Sequence, residues 1–258
     1  MDLYHFDSAG VDIGYLDTGG GGAKPPVLLI HGFASNLATN WVGPNWLQTL
    51  KSSGYRVVAI DNRGHGQSAK LYNLEDYGSP LMAGDAYRLL QHLEIAKAHV
   101  IGYSMGARIA AFLALAHPDR IGRIVFGGLG GNMVRGLAGT GPIAHALEAE
   151  SLDEVSNPTA RTFRIFAEQT KSDLKALAAC IRSSRSPITT EMIAALRSPV
   201  LVCVGEQDVI AGPAEDLAKL IPGARAFTIP NRDHMKAVGD KEFKAAVLAF
   251  LAAGDAVL

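Results

Sequence analysis

His99-Val100-Ile101-Gly102-Tyr103-Ser104-Met105-Gly106 decides how this chain is read. An apolar run leads in, the last five residues fit the pattern G-x-S-x-G, and an Ala-rich helical run, Ala107 to Ala116, leads out. A strand that turns sharply into a helix pushes the side chain at the turn out above the sheet. A Cβ on either flanking residue would meet neighbouring backbone, which is why glycine stands at both. The helix that opens there leaves free N–H groups, which can stabilise a developing negative charge. In that context Ser104 is the candidate nucleophile.

Short apolar runs alternate with helical patterns on both sides of this turn. Strands are predicted at Val11–Leu16, Pro26–Ile30, Tyr55–Ile60, Ala98–Ile101, Ile121–Phe126, Val200–Val204 and Ala224–Ile229. Helices are predicted at Val42–Ser52, Pro80–Leu93, Met105–Ala116, Thr189–Leu196, Ala214–Leu220 and Lys241–Leu251. Such alternation predicts an α/β fold, a mostly parallel twisted sheet with helices on both faces; the full sheet is expected to be eight-stranded, one strand more than the seven runs read here. Gly19–Gly22 reads as a flexible turn. Residues 128–187 break the rhythm, being first glycine-rich and then helical without strands, at Ile143–Leu152, Ala160–Gln169 and Leu174–Arg182. They read as a small helical cap inserted into a core domain made of residues 1–127 and 188–258.

Composition narrows the function classes. The chain has 258 residues, 48% hydrophobic and 19% charged, enough for a large buried core. A net charge of −1, with no basic stripe, argues against nucleic-acid and membrane-surface partners. The opening MDLYHFDSAG has neither a basic nor an apolar signal region, which predicts a cytoplasmic location. The two cysteines, Cys180 and Cys203, fall in helix-like and strand-like segments and read as packed thiols. No metal-ligand spacing is present. The glycines at 64, 66 and 127–131 lack the strand-to-helix context of a dinucleotide site, so no cofactor is expected.

Serine chemistry needs a base, an acid to orient it, and donors for the oxyanion. Of eight histidines, His234 follows the last predicted strand and precedes the last helix, where sites collect in open α/β sheets. The acid belongs between serine and histidine in chain order, and Asp208 stands directly after the strand Val200–Val204, with Glu206 as competitor. Asp233 reads as a turn residue. The oxyanion donors are expected to be the backbone N–H groups of Met105 and Phe33, the latter in the loop His31-Gly32-Phe33-Ala34-Ser35. His31 precedes the serine and reads as a packed, loop-fixing residue. Pocket walls are expected from Leu129, Met133, Phe163, Phe166 and Met235, beside Phe33 and Met105. Arg161 and Arg164 are the two cationic residues that can face the opening.

These motifs carry a resemblance. His31-Gly32-Phe33, Asp61-Asn62-Arg63-Gly64-His65-Gly66-Gln67-Ser68, Gly102–Gly106, Gly205-Glu206-Gln207-Asp208 and Asp233-His234 stand in the order found in the α/β-hydrolase fold superfamily, which the chain resembles over essentially its whole length. The resemblance implies a triad of Ser104, Asp208 and His234, a structural role for Asp61–Ser68, and a variable cap at the insertion. It implies a carboxylesterase acting on small or medium uncharged esters, with a small-molecule ester as the expected partner and the oligomeric state left open. Ser104 in place of aspartate argues against a dehalogenase or epoxide hydrolase. A lactonase, a C–C bond hydrolase, an acyltransferase or perhydrolase, and a slow small-molecule receptor with the same triad stay open.

Overall fold

The inner strands are unbroken runs of buried residues because both of their faces are covered. In β3 (Val27–Ile30), all four residues are buried; Leu28 and Ile30 join one core cluster, Val27 and Leu29 the other. The period of two along a strand thus feeds two apolar layers, one on each side of the sheet. The computed structural model describes residues 2–20, 24–136, 140–183 and 186–255; Gly21 and Gly22 of the glycine turn lie outside the described residues, as do residues 137–139, 184 and 185 of the insertion.

Eight strands form one sheet: β1 (Leu3–Asp7), β2 (Asp12–Asp17), β3, β4 (Val57–Ile60), β5 (Ala98–Tyr103), β6 (Ile121–Gly127), β7 (Val200–Gly205) and β8 (Arg225–Ile229), in the order β1-β2-β4-β3-β5-β6-β7-β8. β1 pairs antiparallel with β2, and β2 with β4; all later pairings are parallel. After β3 the chain crosses to β4 on one side, then returns past β3 to β5 on the other. The loops after β3 and β5 therefore part in opposite directions, and a crevice opens between them at the C-terminal edge. β1 escapes sequence reading because Phe6 is its only buried residue.

On one face Trp41, with Trp46 and Leu50 of α1 (Trp46–Ser52), packs with Phe243, Val247 and Leu251 of the final helix, Lys241–Asp255. The other face is covered by α2 (Ser79–His92), α3 (Met105–Ala116) and the helices that follow. The predicted helix Val42–Ser52 is broken at its start. Pro44 lacks an N–H, and Asn45 takes φ 64°, so α1 begins only at Trp46. Before it, Ala38–Val42 forms a π-type turn closed by Gly43 N–H to Ala38 O at 2.8 Å. The glycine-rich stretch after β6 holds one short helix, α4 (Asn132–Arg135). Beyond it α5 (Thr140–Glu148), α6 (Pro158–Gln169) and α7 (Leu174–Ser183) pack against one another as a helical layer. Among the described residues no helix is long and apolar enough to cross a membrane.

Candidate active site

Ser104 stands where β5 becomes α3, and the turn is tight. Its φ of 54° and ψ of −113° lie where non-glycine residues seldom sit, and its N–H is anchored on Gly127 O at 2.7 Å. A Cβ on Gly102 would stand 2.2 Å from Gly106 O, and one on Gly106 would stand 2.0 Å from Ile30 O. The two glycines let α3 sit against β3 and β5, and that closeness aims the hydroxyl out over the sheet edge.

The loops after β7 and β8 bring the other two residues to it. Asp208 Oδ1 accepts the N–H groups of Ile210 (2.9 Å) and Ala211 (3.0 Å), leaving Oδ2 to accept from His234 Nδ1 at 2.7 Å. A carboxylate only accepts, so Nδ1 carries the proton and Nε2 is the acceptor, 3.1 Å from Ser104 Oγ. The Asp208 side chain is 0% exposed and that of His234 8%. Tyr103, the residue before the serine, donates its hydroxyl to His234 O at 2.6 Å and so ties the histidine loop to β5. Burial, with Asp208 nearby, keeps that hydroxyl protonated far above the usual phenol range. Glu206 lies outside this line: its carboxylate accepts Asn231 N–H at 2.8 Å, clasping the two loops together. Asp233 accepts the N–H groups of Met235 and Lys236, as a turn residue does.

His31 is fully buried and holds the loop after β3. Its Nδ1 donates to Gly32 O at 2.8 Å, and its Nε2 accepts Asn62 N–H at 3.0 Å. Burial keeps its pKa down at about 4. His65, behind it, is held at about 3 by burial and then by the charge His31 would carry. Both imidazoles are therefore neutral at pH 7. Asp61 accepts the N–H groups of Leu37 and Gln67, and Arg63 pairs with buried Asp85 at 2.7 Å, so the stretch Asp61–Ser68 is tied to itself, to the loop after β3 and to α2.

A cavity of about 530 Å³ opens above Ser104 and His234. Phe33, Phe163, Phe166 and Met235 line it, with the rings of Phe33 and Phe163 5.9 Å apart. Met105 opens α3, so its N–H has no intrahelical acceptor, and its side chain is buried away from the cavity. The expectation for Leu129 and Met133 fails for this cavity. They are 4% and 0% exposed and belong to the core cluster, because the chain after β6 is drawn toward the loop after β7 by Gly130 N–H and Asn132 N–H to Ala211 O. Neither arginine faces the opening: Arg164 is buried and donates to Ala146 O (2.7 Å) and Ala149 O (2.9 Å) at the C-terminal end of α5, and Arg161 donates to Leu152 O. Sequence reading missed Ser35, Thr39, Asn40, Ile165, Gln169 and Val238, which also line the cavity. The break at Pro44 was the one signal for a loop reaching past residue 40.

A family profile described as the alpha/beta hydrolase fold matches residues 25–134. The chain is 29% identical over 231 residues to the dihydrolipoyllysine-residue acetyltransferase component of the acetoin cleaving system of Pseudomonas putida, covering 84% of this chain and 60% of that protein. It is 40% identical over 121 residues to the Cupriavidus necator component of the same name, covering 46% of this chain and 30% of that protein. It thus spans less than two thirds of the length of either relative. Among solved structures, a hydrolase from Pseudomonas aeruginosa PA01 superposes with a TM-score of 0.78 at 26% identity, over 97% of this chain and 98% of that one.

Proposed function

The chain belongs to the α/β-hydrolase fold superfamily, and from that premise we propose that it is a serine hydrolase, a carboxylesterase cleaving small or medium uncharged esters through an acyl-enzyme on Ser104. The observation that carries this reading is the hydrogen-bonded line Asp208–His234–Ser104, at 2.7 and 3.1 Å, ending beneath a mostly apolar cavity.

In the proposed reaction Ser104 Oγ attacks the ester carbonyl carbon while His234 Nε2 takes its proton. Asp208 stays ionised and stabilises the imidazolium through Nδ1–H. The oxyanion is placed on the N–H groups of Phe33 and Met105; losing one such donor typically costs about 100- to 1000-fold in rate. As the tetrahedral intermediate collapses, the C–O bond to the alcohol breaks and His234 returns the proton to the departing oxygen. Water then adds to the acyl-enzyme with His234 as base, and a second collapse frees the acid and restores the serine. Residues 128–187 act in this reading as the cap that shapes the acyl pocket, since α6 supplies Phe163 and Phe166 to the cavity.

The test is a panel of p-nitrophenyl esters of rising acyl length, run on the wild type and on Ser104→Ala. Turnover by the wild type alone supports the proposal. Equal turnover by both proteins, or a single burst of serine acylation with no further turnover, overturns it.

A further inference from the structure

The walls of the cavity over Ser104 come mainly from three stretches: the loop after β3 as far as Pro44, helix α6, and the loop from His234 to Gly239. They meet in two groups. In one, α6 covers the loop after β3, with the rings of Phe33 and Phe163 5.9 Å apart and Thr170 Oγ1 donating to Ala34 O at 2.9 Å. In the other, Pro44 faces Gly239, whose loop also brings Met235 and Val238 to the cavity. This second group keeps accessible surface: Met235 is 37% exposed, and Pro44, Val238 and Gly239 are half-buried.

Gly239 is the informative residue of that group. It closes the 3-10 turn Ala237–Gly239 with φ outside the left-handed region, so the backbone there does not require a glycine. What the missing side chain leaves is room. A Cβ would point at Pro44, 3.3 Å from its Cβ and 4.0 Å from its Cγ, and among the described residues no other atom beyond the chain neighbours lies within 4 Å. Both walls of this gap are held from behind. Trp46 Nε1 donates to Val238 O at 2.6 Å, Lys244 Nζ donates to Pro44 O, and the rings of Trp46 and Phe243 pack 5.1 Å apart. The gap is therefore formed before any ligand arrives, and its width is set by scaffold outside the cavity.

The chemistry of the triad decides which half of an ester belongs there. His234 Nε2 returns its proton to the departing oxygen, so that oxygen comes within hydrogen-bond reach of Nε2. The group this oxygen carries starts at His234, and the loop of His234 continues as Met235–Gly239. The acyl chain is left the side of Phe33, Phe163 and Phe166. Pro44, Met235 and Val238 offer no charge, and Lys236 beside them is exposed and paired with Asp233 at 3.2 Å.

We propose that the gap between Pro44 and Gly239 is the pocket for the alcohol half of the ester, that it takes an uncharged, apolar alcohol, and that Gly239 sets its size. This rests on the serine-hydrolase reading and supplies the second half of the substrate: the acyl group lies under α6, the alcohol between Pro44 and the histidine loop.

The experiment measures kcat/KM on two ester series in the wild type, Gly239→Ala and Gly239→Val. One series fixes the acid, as the acetates of methanol, butan-1-ol and benzyl alcohol. The other fixes the alcohol, as the ethyl esters of acetic, butanoic and octanoic acids. Ratios within a series cancel any loss common to all esters. Gly239→Val is expected to lower the benzyl-over-methyl ratio about tenfold, and Gly239→Ala about threefold, with the acid-series ratios unchanged. An unchanged benzyl-over-methyl ratio in both variants, or an acid series that moves as much as the alcohol series, overturns the pocket. A second measurement needs no change at residue 239. Benzyl alcohol is expected to bind Ser104→Ala in saturation-transfer NMR and to stay bound when octanoate is added; displacement by octanoate, or no binding, overturns the pocket. Ester turnover that survives Ser104→Ala sinks the serine mechanism instead, and the binding measurement then judges the pocket by itself.

Discussion

The floor of the cavity and the helical layer above it are built on different principles. Ser104, Asp208 and His234 sit on loops that leave β5, β7 and β8, strands buried on both faces or clasped to their neighbours. Around Ser104 the backbone approaches so closely that a single added Cβ would fall within 2.2 Å of a carbonyl oxygen. The layer of α5, α6 and α7 packs mainly on itself. Among the described residues its side-chain hydrogen bonds to the rest of the chain include Thr170 Oγ1 to Ala34 O and the Tyr72 hydroxyl to Asp173 Oδ2, both at 2.9 Å. It meets the site through Phe163, Ile165 and Phe166, and Ile165 is 37% exposed. The backbone that holds Ser104, Asp208 and His234 is over-determined, whereas what the layer adds to the cavity is a set of side chains on helices outside the sheet.

That division can be broken by experiment. Ser104→Ala is expected to lower kcat by about 10⁴-fold or more, with the circular dichroism spectrum and thermal midpoint kept. A large loss of stability there would mean the serine is part of the scaffold. Asp208→Asn leaves the shape but offers His234 the wrong partner, and kcat is expected to fall about 10³- to 10⁴-fold; a loss below tenfold would move the acid elsewhere. Gly106→Ala tests rigidity directly, because the new Cβ would stand 2.0 Å from Ile30 O. Denaturant unfolding is expected to show a loss above about 4 kcal/mol, the range reserved for severe disruption.

Acid probes the floor more gently. His31 and His65 bind protons at 6.5 when unfolded but only near 4 and 3 when folded. The unfolded chain thus holds more protons below pH 6.5. Their neutral packing is fully stabilising above that value, and each loses about 2 kcal/mol by pH 5. Urea midpoints measured from pH 7 to 5 should fall accordingly, and His65→Gln should flatten the slope by about one proton. In the helical layer, Phe166→Ala is expected to change the acyl-length preference by about three- to tenfold in kcat/KM. An equal drop in kcat for every ester would show that the layer does more than shape the pocket.

Much of the floor was legible in the linear chain because its signals are local. Gly102 and Gly106 are spaced by the requirements of one turn, and the unbroken apolar runs of β3, β5 and β7 follow from burial on both faces. β1 is unreadable because it offers the core only Phe6, and the helix predicted at Val42–Ser52 overruns its start by residues 42–45 because Pro44 and Asn45 act on φ rather than on hydrophobic pattern. The site was less legible where side-chain direction matters. Phe163, Phe166 and Met235 do reach the cavity, whereas Leu129 and Met133, equally apolar, turn into the core.

The sequence by itself determined the alternation of strands and helices, the turn that carries Ser104, and the order serine, aspartate, histidine, because each is written in residues near one another or in periodic burial. Only the tertiary structure decided that Asp208 Oδ2 and not Glu206 meets His234, and that Phe163 and Phe166 line the cavity while Leu129 and Met133 turn into the core. Those outcomes depend on where loops from distant strands converge, and that is set by the packing of the whole sheet edge rather than by any one segment.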